Sequence, residues 1–246
     1  MPAAPVLLVV AHGSRDPRHA ATVHALVREA AALRPGVRVE TAFLDFTVPS
    51  VPAVLERLAA EGARDVVVLP LLLTRAFHAK ADVPAVLRQA PPSLRIRQAA
   101  VLGPSPLLLA AVERRLYEAG LTPADKGSTG VVLASAGSTD PEANAVIAET
   151  ARELRRAGWC AVRPAFASAS LPRTEDAVRA LRSEGARLVA VAPYVIAPGR
   201  LPDRIAAGAA AADVLADVLG PSPELARLLL HRYDESRTAR PLAAVG

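Results

Sequence analysis

The sequence predicts an α/β protein of two tandem, duplicated α/β domains, each with a four-stranded, mainly parallel sheet flanked by helices. Three observations lead to this fold class. Short runs rich in Val and Leu alternate with longer stretches of helical periodicity that are rich in Ala, Leu and Arg. A segment rich in Gly, Thr and Pro, AGLTPADKGSTG at 119–130, interrupts the alternation and is typical of a linker. After it, the landmarks of the first half recur in the same order.

The first half contains four apolar runs, each followed by a helical pattern. We expect strands at Val6–Ala11, Val37–Leu44, Val66–Leu72 and Ile96–Leu102. We expect helices at roughly 17–34, 50–61, 80–90 and 106–119. Because the strands are apolar throughout rather than alternating, helices should cover both faces of a parallel sheet through right-handed crossovers.

The second half repeats the first at a nearly constant offset. AHGSRDP at 11–17 matches SAGSTDP at 135–141, and TAFLDFTVPS at 41–50 matches PAFASASLPR at 164–173. Pro70 matches Pro193, and VLGPSP occurs at both 101–106 and 218–223. Four landmarks in one order indicate a duplication. We therefore predict domains at 1–122 and 123–246, with a poorly ordered tail over 234–246.

Residues that both halves share should serve the fold. Four positions recur after the first strand of each half, as Gly13, Ser14, Asp16 and Pro17 and as Gly137, Ser138, Asp140 and Pro141. Glycine permits a tight turn, Ser or Asp caps the next helix, and Pro suits the first helical position. These four positions are therefore predicted to be architectural.

Residues that only one half carries are candidates for function. His12, Asp45 and His78 have no counterpart, since the second half has Ala136, Ser168 and Leu201 there. Each lies at or just beyond the carboxyl end of a predicted strand, and parallel sheets bind ligands at that edge. Two imidazoles and a carboxylate suit a divalent metal such as Fe²⁺, Co²⁺, Ni²⁺ or Zn²⁺. The same imidazoles could instead accept protons near neutral pH. His19 and His24 are expected to be surface residues of the first helix.

Composition and motifs disfavour several classes of function. The net charge is +5, but aromatic residues make up only 3% of the chain, which disfavours a nucleic-acid partner. No apolar run approaches the roughly 18 residues of a membrane span, and the N-terminal MPAAPVLLVV predicts a strand rather than a signal peptide. The single cysteine, Cys160, excludes an internal disulfide, and a cytoplasmic location is the expectation. A nucleotide-using α/β enzyme is a weaker alternative, because neither glycine turn matches a Walker or dinucleotide fingerprint.

Three stretches, VVAHGSRDPRH, AFLDFTVPS and FHAKADVP, resemble the signatures of the class II chelatases, the sirohydrochlorin cobalto- and ferrochelatases. The resemblance extends over nearly the whole chain and includes the long, duplicated form with one active half. It implies a chelatase-like fold in which the N-terminal domain carries the site and the degenerate C-terminal repeat closes the cleft. The implied activity is insertion of Fe²⁺ or Co²⁺ into sirohydrochlorin, in sirohaem or cobalamin biosynthesis, without ATP or an organic cofactor.

The resemblance also implies roles for individual residues. His12 and His78 match the family histidines that bind metal and assist deprotonation, and Asp45 lies where many members carry glutamate. A tetrapyrrole that carries many carboxylates needs cations and polar groups around it. The candidates for substrate binding are Arg15, Arg75, Lys80, Arg200, Ser14 and Phe77. Phe46, Leu73 and Phe77 are candidates for an apolar wall against the macrocycle.

Some alternatives stay open at this point. Nitrogen and oxygen ligands admit both iron and cobalt, although iron is slightly favoured, and nickel insertion into a related tetrapyrrole is a further candidate. A non-catalytic metal- or tetrapyrrole-binding protein could use the same residues. A monomer is expected, because two fused halves could form within one chain the cleft that a single-repeat protein builds by dimerising.

Overall fold

The computed structural model describes residues 4–75 and 82–238, in which two four-stranded sheets are found. The first sheet contains β1 (Val6–Ala11), β2 (Val39–Phe43), β3 (Asp65–Pro70) and β4 (Arg95–Gln98). The second contains β5 (Thr129–Ser135), β6 (Ala161–Phe166), β7 (Leu188–Tyr194) and β8 (Val214–Leu215). Their orders, β2-β1-β3-β4 and β6-β5-β7-β8, are equivalent, and every pair is parallel. The predicted fold class, a duplicated α/β protein, is confirmed.

Helices connect and cover these strands. They are α1 (Pro17–Leu33), α2 (Val51–Ala60), α3 (Val83–Leu87), α4 (Pro106–Glu118), α5 (Pro141–Arg156), α6 (Thr174–Ser183), α7 (Arg200–Gly208) and α8 (Pro223–Thr238). Asp16 and Asp140 are the N-caps of α1 and α5, and each carboxylate accepts a hydrogen bond from the backbone N–H two residues later. A proline follows each cap at the first helical position, as the sequence predicted.

The core of each unit lies between its sheet and its helices. All six residues of β1 are buried, because helices cover both faces of the sheet. On one face, Leu8 and Val10 pack with Val54 and Leu58 of α2 in a single apolar cluster. In the second sheet, residues of β5, β6 and β7 pack in the same way against α6. Buried apolar area of this kind provides the main stabilisation of each unit.

The chain forms two compact units, and each unit contains the last helix of the other sequence repeat. One unit comprises Met1–Gly103 and Pro221–Gly246, which includes α8, and the other comprises Pro104–Gly220, which includes α4. In the first, the Arg232 guanidinium donates to the carbonyl oxygens of Val101 and Leu102, both at 2.9 Å. In the second, Arg115 donates to the Leu219 carbonyl at 3.2 and 3.0 Å. The predicted division at residue 122 follows the sequence repeats, whereas the compact units exchange these two helices.

Some predicted elements have other boundaries in the structure. The predicted strand Ile96–Leu102 ends at Gln98 in the structure. Beyond that point, the Ala99 and Leu102 N–H groups still donate to the Val68 and Leu72 carbonyls, both at 2.8 Å. The expected linker contains a 3₁₀ helix over Pro123–Ser128, and the expected helix at 80–90 is limited to Val83–Leu87 among the described residues.

The expected tail also differs. Residues 234–238 continue α8, and Asp234 forms an ion pair with Arg34 at 2.6 Å, which holds this part of the chain on α1. Residues 239–246 lie outside the described part. No helix within residues 4–75 and 82–238 is long and apolar enough to cross a membrane.

Candidate functional site

The strand order places the candidate site at a topological switch point. The chain leaves β1 toward β2, on one side of the sheet, and leaves β3 toward β4, on the other side. The loops after β1 and β3 therefore diverge. Ligands of open α/β sheets bind in the crevice that such loops leave at the carboxyl edge. His12 directly follows β1, an inner strand of the sheet, and Asp45 lies two residues beyond β2.

Backbone hydrogen bonds hold His12 and Asp45 beside each other. The Asp45 N–H donates to the His12 carbonyl at 2.8 Å, which extends the ladder between β1 and β2 past the ends of both strands. The Thr47 hydroxyl donates to the Ser14 carbonyl at 3.0 Å and accepts from the Ser14 N–H at 3.2 Å. The structure therefore brings two of the three predicted metal ligands to one place on the sheet edge.

Glycine is required in the turn after His12. Gly13 has φ of +96°, and a Cβ there would lie 1.8 Å from the carbonyl oxygen of Asp45. Gly137 has φ of +86°, and its Cβ would lie 2.0 Å from the Ser168 oxygen. Only a residue without a side chain permits so close an approach at positive φ. The architectural role predicted for these glycines is confirmed.

The second unit has the same loop without the same chemistry. The Ser168 N–H donates to the Ala136 carbonyl at 2.9 Å, and the Ser170 hydroxyl donates to the Ser138 carbonyl at 2.8 Å. These bonds repeat those that Asp45 and Thr47 make in the first unit. Since the scaffold is shared, the imidazole and the carboxylate of the first unit are not needed to form the loop.

An aromatic ring and a cation adjoin His12. The Phe46 ring stacks on the His12 ring, with centroids 6.1 Å apart and an interplanar angle of 25°. The guanidinium carbon of Arg15 lies 5.1 Å from the Phe46 centroid. The Asp45 carboxylate is exposed and accepts a hydrogen bond from the Phe46 N–H at 2.8 Å. The site therefore combines an imidazole, a carboxylate, an exposed apolar ring and a cation.

His19 is a polar residue near this site that the sequence reasoning placed on the surface. It is half-buried on α1, with its ring centroid 6.4 Å from that of Phe43, and His24 is also half-buried. Burial lowers the pKa of His19, and the nearby His12 lowers it further. Its Nδ1 is buried without a hydrogen-bond partner among the described residues. The spacing from His19 to the buried Val23 and Leu26 of the same helix was the signal for an inward position.

The structure places the remaining predicted site residues as follows. The Ser14 hydroxyl accepts from the Asp16 N–H at 3.1 Å, as Ser138 does from Asp140. Arg75 is exposed in the loop after β3, and Arg200 is exposed at the first position of α7 in the second unit. Phe77, His78 and Lys80 lie outside the described residues. Within 4–75 and 82–238, no group of three or more His, Cys, Asp and Glu residues could hold a metal ion.

Comparisons with known proteins agree with the duplicated architecture of the fold. The model of the CbiX family matches residues 6–119 and again residues 130–236. A sirohydrochlorin cobaltochelatase of Priestia megaterium is 30% identical over 208 residues, which cover 81% of this chain and 66% of that protein. A sirohydrochlorin ferrochelatase of Bacillus subtilis (strain 168) is 30% identical over 210 residues, covering 81% and 77%.

Solved structures show the same similarity in three dimensions. The structure of SirB from Bacillus subtilis with Fe³⁺ superposes with a TM-score of 0.82 at 25% sequence identity. The match covers 95% of this chain and 96% of that one. Both repeats are thus matched in sequence, and nearly all of the chain is matched in structure.

Proposed function

This chain belongs to the CbiX family, and on that premise we propose that it inserts a divalent metal ion, Fe²⁺ or Co²⁺, into metal-free sirohydrochlorin. The names of its relatives, a cobaltochelatase and a ferrochelatase, support this activity. The observation that carries the proposal is the juxtaposition of His12 and Asp45 at the carboxyl edge of the first sheet. The equivalent loop of the second unit offers only Ala136 and Ser168.

The reaction exchanges a cation for protons. One divalent ion enters the macrocycle, and two pyrrole N–H protons leave it, so the site must release a metal and accept protons nearby. An imidazole suits both steps, because its neutral form is a metal ligand and a proton acceptor near neutral pH. His12 takes this role, with His78 as its proposed partner.

Asp45 supplies negative charge to the incoming cation. Its side chain is exposed, and its backbone is fixed to that of His12, so a cation at the sheet edge meets both residues. A set of two imidazoles and one carboxylate leaves coordination positions open for the pyrrole nitrogens. Such a site holds the metal weakly enough to release it. These nitrogen and oxygen ligands admit both iron and cobalt.

Cations around the site hold the carboxylates of the substrate. Arg15 and Arg75 are exposed beside the loops of the first sheet, and Lys80 and Arg200 are further candidates from the sequence. Ser14 and Phe77 provide a polar and an apolar contact. Exposed guanidinium groups bind carboxylates through charge-assisted hydrogen bonds.

A rate measurement tests the proposal. Metal-free sirohydrochlorin is mixed with Fe²⁺ or Co²⁺ under anaerobic conditions, and its absorbance change is followed with and without protein. We expect wild type to accelerate insertion and His12→Ala to lose the acceleration. His231→Ala is the matched control, because His231 lies on α8 of the same unit with an exposed side chain. Equal rates for wild type and His12→Ala would refute the role of His12.

The proposal also covers the requirement for ATP, the oligomeric state and the location of the protein. The reaction consumes no ATP, so adding ATP leaves the insertion rate unchanged. The protein acts as a monomer, because the duplication provides two α/β units in one chain. It acts in the cytoplasm, because a sequence with a single cysteine forms no internal disulfide. Light scattering of the purified protein tests the oligomeric state, and a mass of twice 25.6 kDa would refute it.

A further inference from the structure

Phe46 is held in an unusual position for an aromatic residue. Its φ is +58°, in the left-handed region that residues with a side chain seldom adopt, and 52% of the residue is exposed. An apolar ring of this size gains stability from burial, so exposure and backbone strain both act against it. The Asp45 carboxylate helps to hold this conformation by accepting the Phe46 N–H. The exposure of so large an apolar ring beside His12 points to a use for it.

Arg15 is held over the same ring. Its guanidinium carbon lies 5.1 Å from the Phe46 centroid, a cation–π contact. Arg15 is exposed, and within residues 4–75 and 82–238 no carboxylate forms an ion pair with it. The pair therefore presents a half-exposed apolar ring and an exposed cation that is available to an anion.

The second unit shows that the loop does not need this pair. Ala169 occupies the position of Phe46 with φ of +60°, and Thr139 occupies the position of Arg15. The backbone is thus the same in both units, while the ring and the cation occur together only beside His12. A structural requirement of the loop would have applied to both units.

We propose that Arg15 and Phe46 form one substrate subsite, in which the exposed part of the ring packs against the macrocycle while the guanidinium binds a peripheral carboxylate. This inference rests on the proposed function and defines how the substrate is placed over His12. The Phe46 and His12 centroids are 6.1 Å apart, so a macrocycle that touches Phe46 lies close to the imidazole. Both residues act on the macrocycle, not on the metal.

Binding in the absence of metal separates this subsite from the chemistry. Metal-free sirohydrochlorin is titrated into the protein, and its dissociation constant is read from its absorbance or fluorescence. We expect Phe46→Ala to weaken binding about tenfold, the magnitude of one lost aromatic contact. Arg15→Ala should weaken it about fivefold, and the double variant should lose less than the product of the two effects, because Phe46 positions the guanidinium. Phe46→Tyr, which keeps the ring, should bind like wild type.

Two controls keep the test specific. Leu33→Ala removes an equally exposed apolar side chain, 52%, from the end of α1 in the same unit and should leave binding unchanged. Phe46→Ala should keep its fold, since Ala169 tolerates the same backbone angle. If wild type accelerates insertion and Phe46→Ala binds the macrocycle as tightly as wild type, the subsite is overturned and the proposed function is not. Wild-type protein that neither binds the macrocycle nor accelerates insertion would overturn the proposed function.

Discussion

Substituting alanine for Gly13 should damage both the fold and the site. The new Cβ would lie 1.8 Å from the Asp45 oxygen, whereas Cβ contacts below 3.0 Å essentially do not occur, so the two loops must separate by about 1.2 Å. Overpacking of this kind costs about 1–3 kcal/mol, and alanine at a strained positive φ costs about 1–3 kcal/mol more. We expect a loss of about 2–6 kcal/mol in the free energy of unfolding, measured by chemical denaturation.

The same separation should move Asp45 away from His12, because the Asp45 N–H is bonded to the His12 carbonyl. A displacement of about 1 Å at reacting groups lowers kcat/KM about a hundredfold. Gly137→Ala is the matched control, since its Cβ would lie 2.0 Å from the Ser168 oxygen of the second unit. Below the melting temperatures of both variants, Gly137→Ala should retain wild-type kcat/KM. The reasoning fails if Gly13→Ala keeps wild-type kcat/KM or if both variants lose it equally.

Two further predictions concern stability. The Glu113 carboxylate accepts the indole N–H of the buried Trp159 at 3.0 Å, so Glu113→Ala should cost about 1–3 kcal/mol by leaving that donor unpaired. Glu113→Gln, which keeps an acceptor, should cost less, and equal denaturation midpoints for wild type and Glu113→Ala would contradict this. Burial lowers the pKa of His19 below its ordinary 6.5, so the unfolded chain binds more protons and the free energy of unfolding should fall as pH falls below 6.5. His19→Asn should flatten this dependence, and an unchanged slope would contradict it.

The sequence predicted the layers of the fold because burial leaves a strong pattern. A strand buried on both faces must be apolar throughout, as in Val6–Ala11, and its bounds agreed with the structure. The same rule failed at Leu102, because Ala99, Val101 and Leu102 are buried in a loop. The Ala99 and Leu102 N–H groups there donate to the Val68 and Leu72 carbonyls. Apolar composition reports burial and does not by itself report a strand.

The exchange of α4 and α8 could not be predicted from periodicity. Both helices bury one apolar face, and an amphipathic pattern does not specify which sheet that face covers. The contacts that distinguish the partners are long-range bonds, such as those from Arg232 to the carbonyls of 101 and 102. Residues so far apart in sequence carry no local signal of their pairing.

The candidate site was partly accessible from the sequence for a different reason. The two repeats share a backbone, so comparing them separated Gly13, which forms the turn, from His12, which does not. The comparison gave no weight to Phe46 over its neighbours, because backbone angle and exposure are properties of the folded loop. His78 stays a prediction, since it lies outside the described residues.

Multiple turnover tests the central claim most directly. Metal-free sirohydrochlorin and Co²⁺ are supplied in large excess over the protein, and the metallated product is counted per protein molecule after subtraction of the spontaneous reaction. The account predicts linear formation of product far beyond one equivalent, because an open metal site releases its ion to the macrocycle and is refilled. Product that stops at one equivalent per chain, or a rate no faster than without protein, would contradict catalysis by this chain.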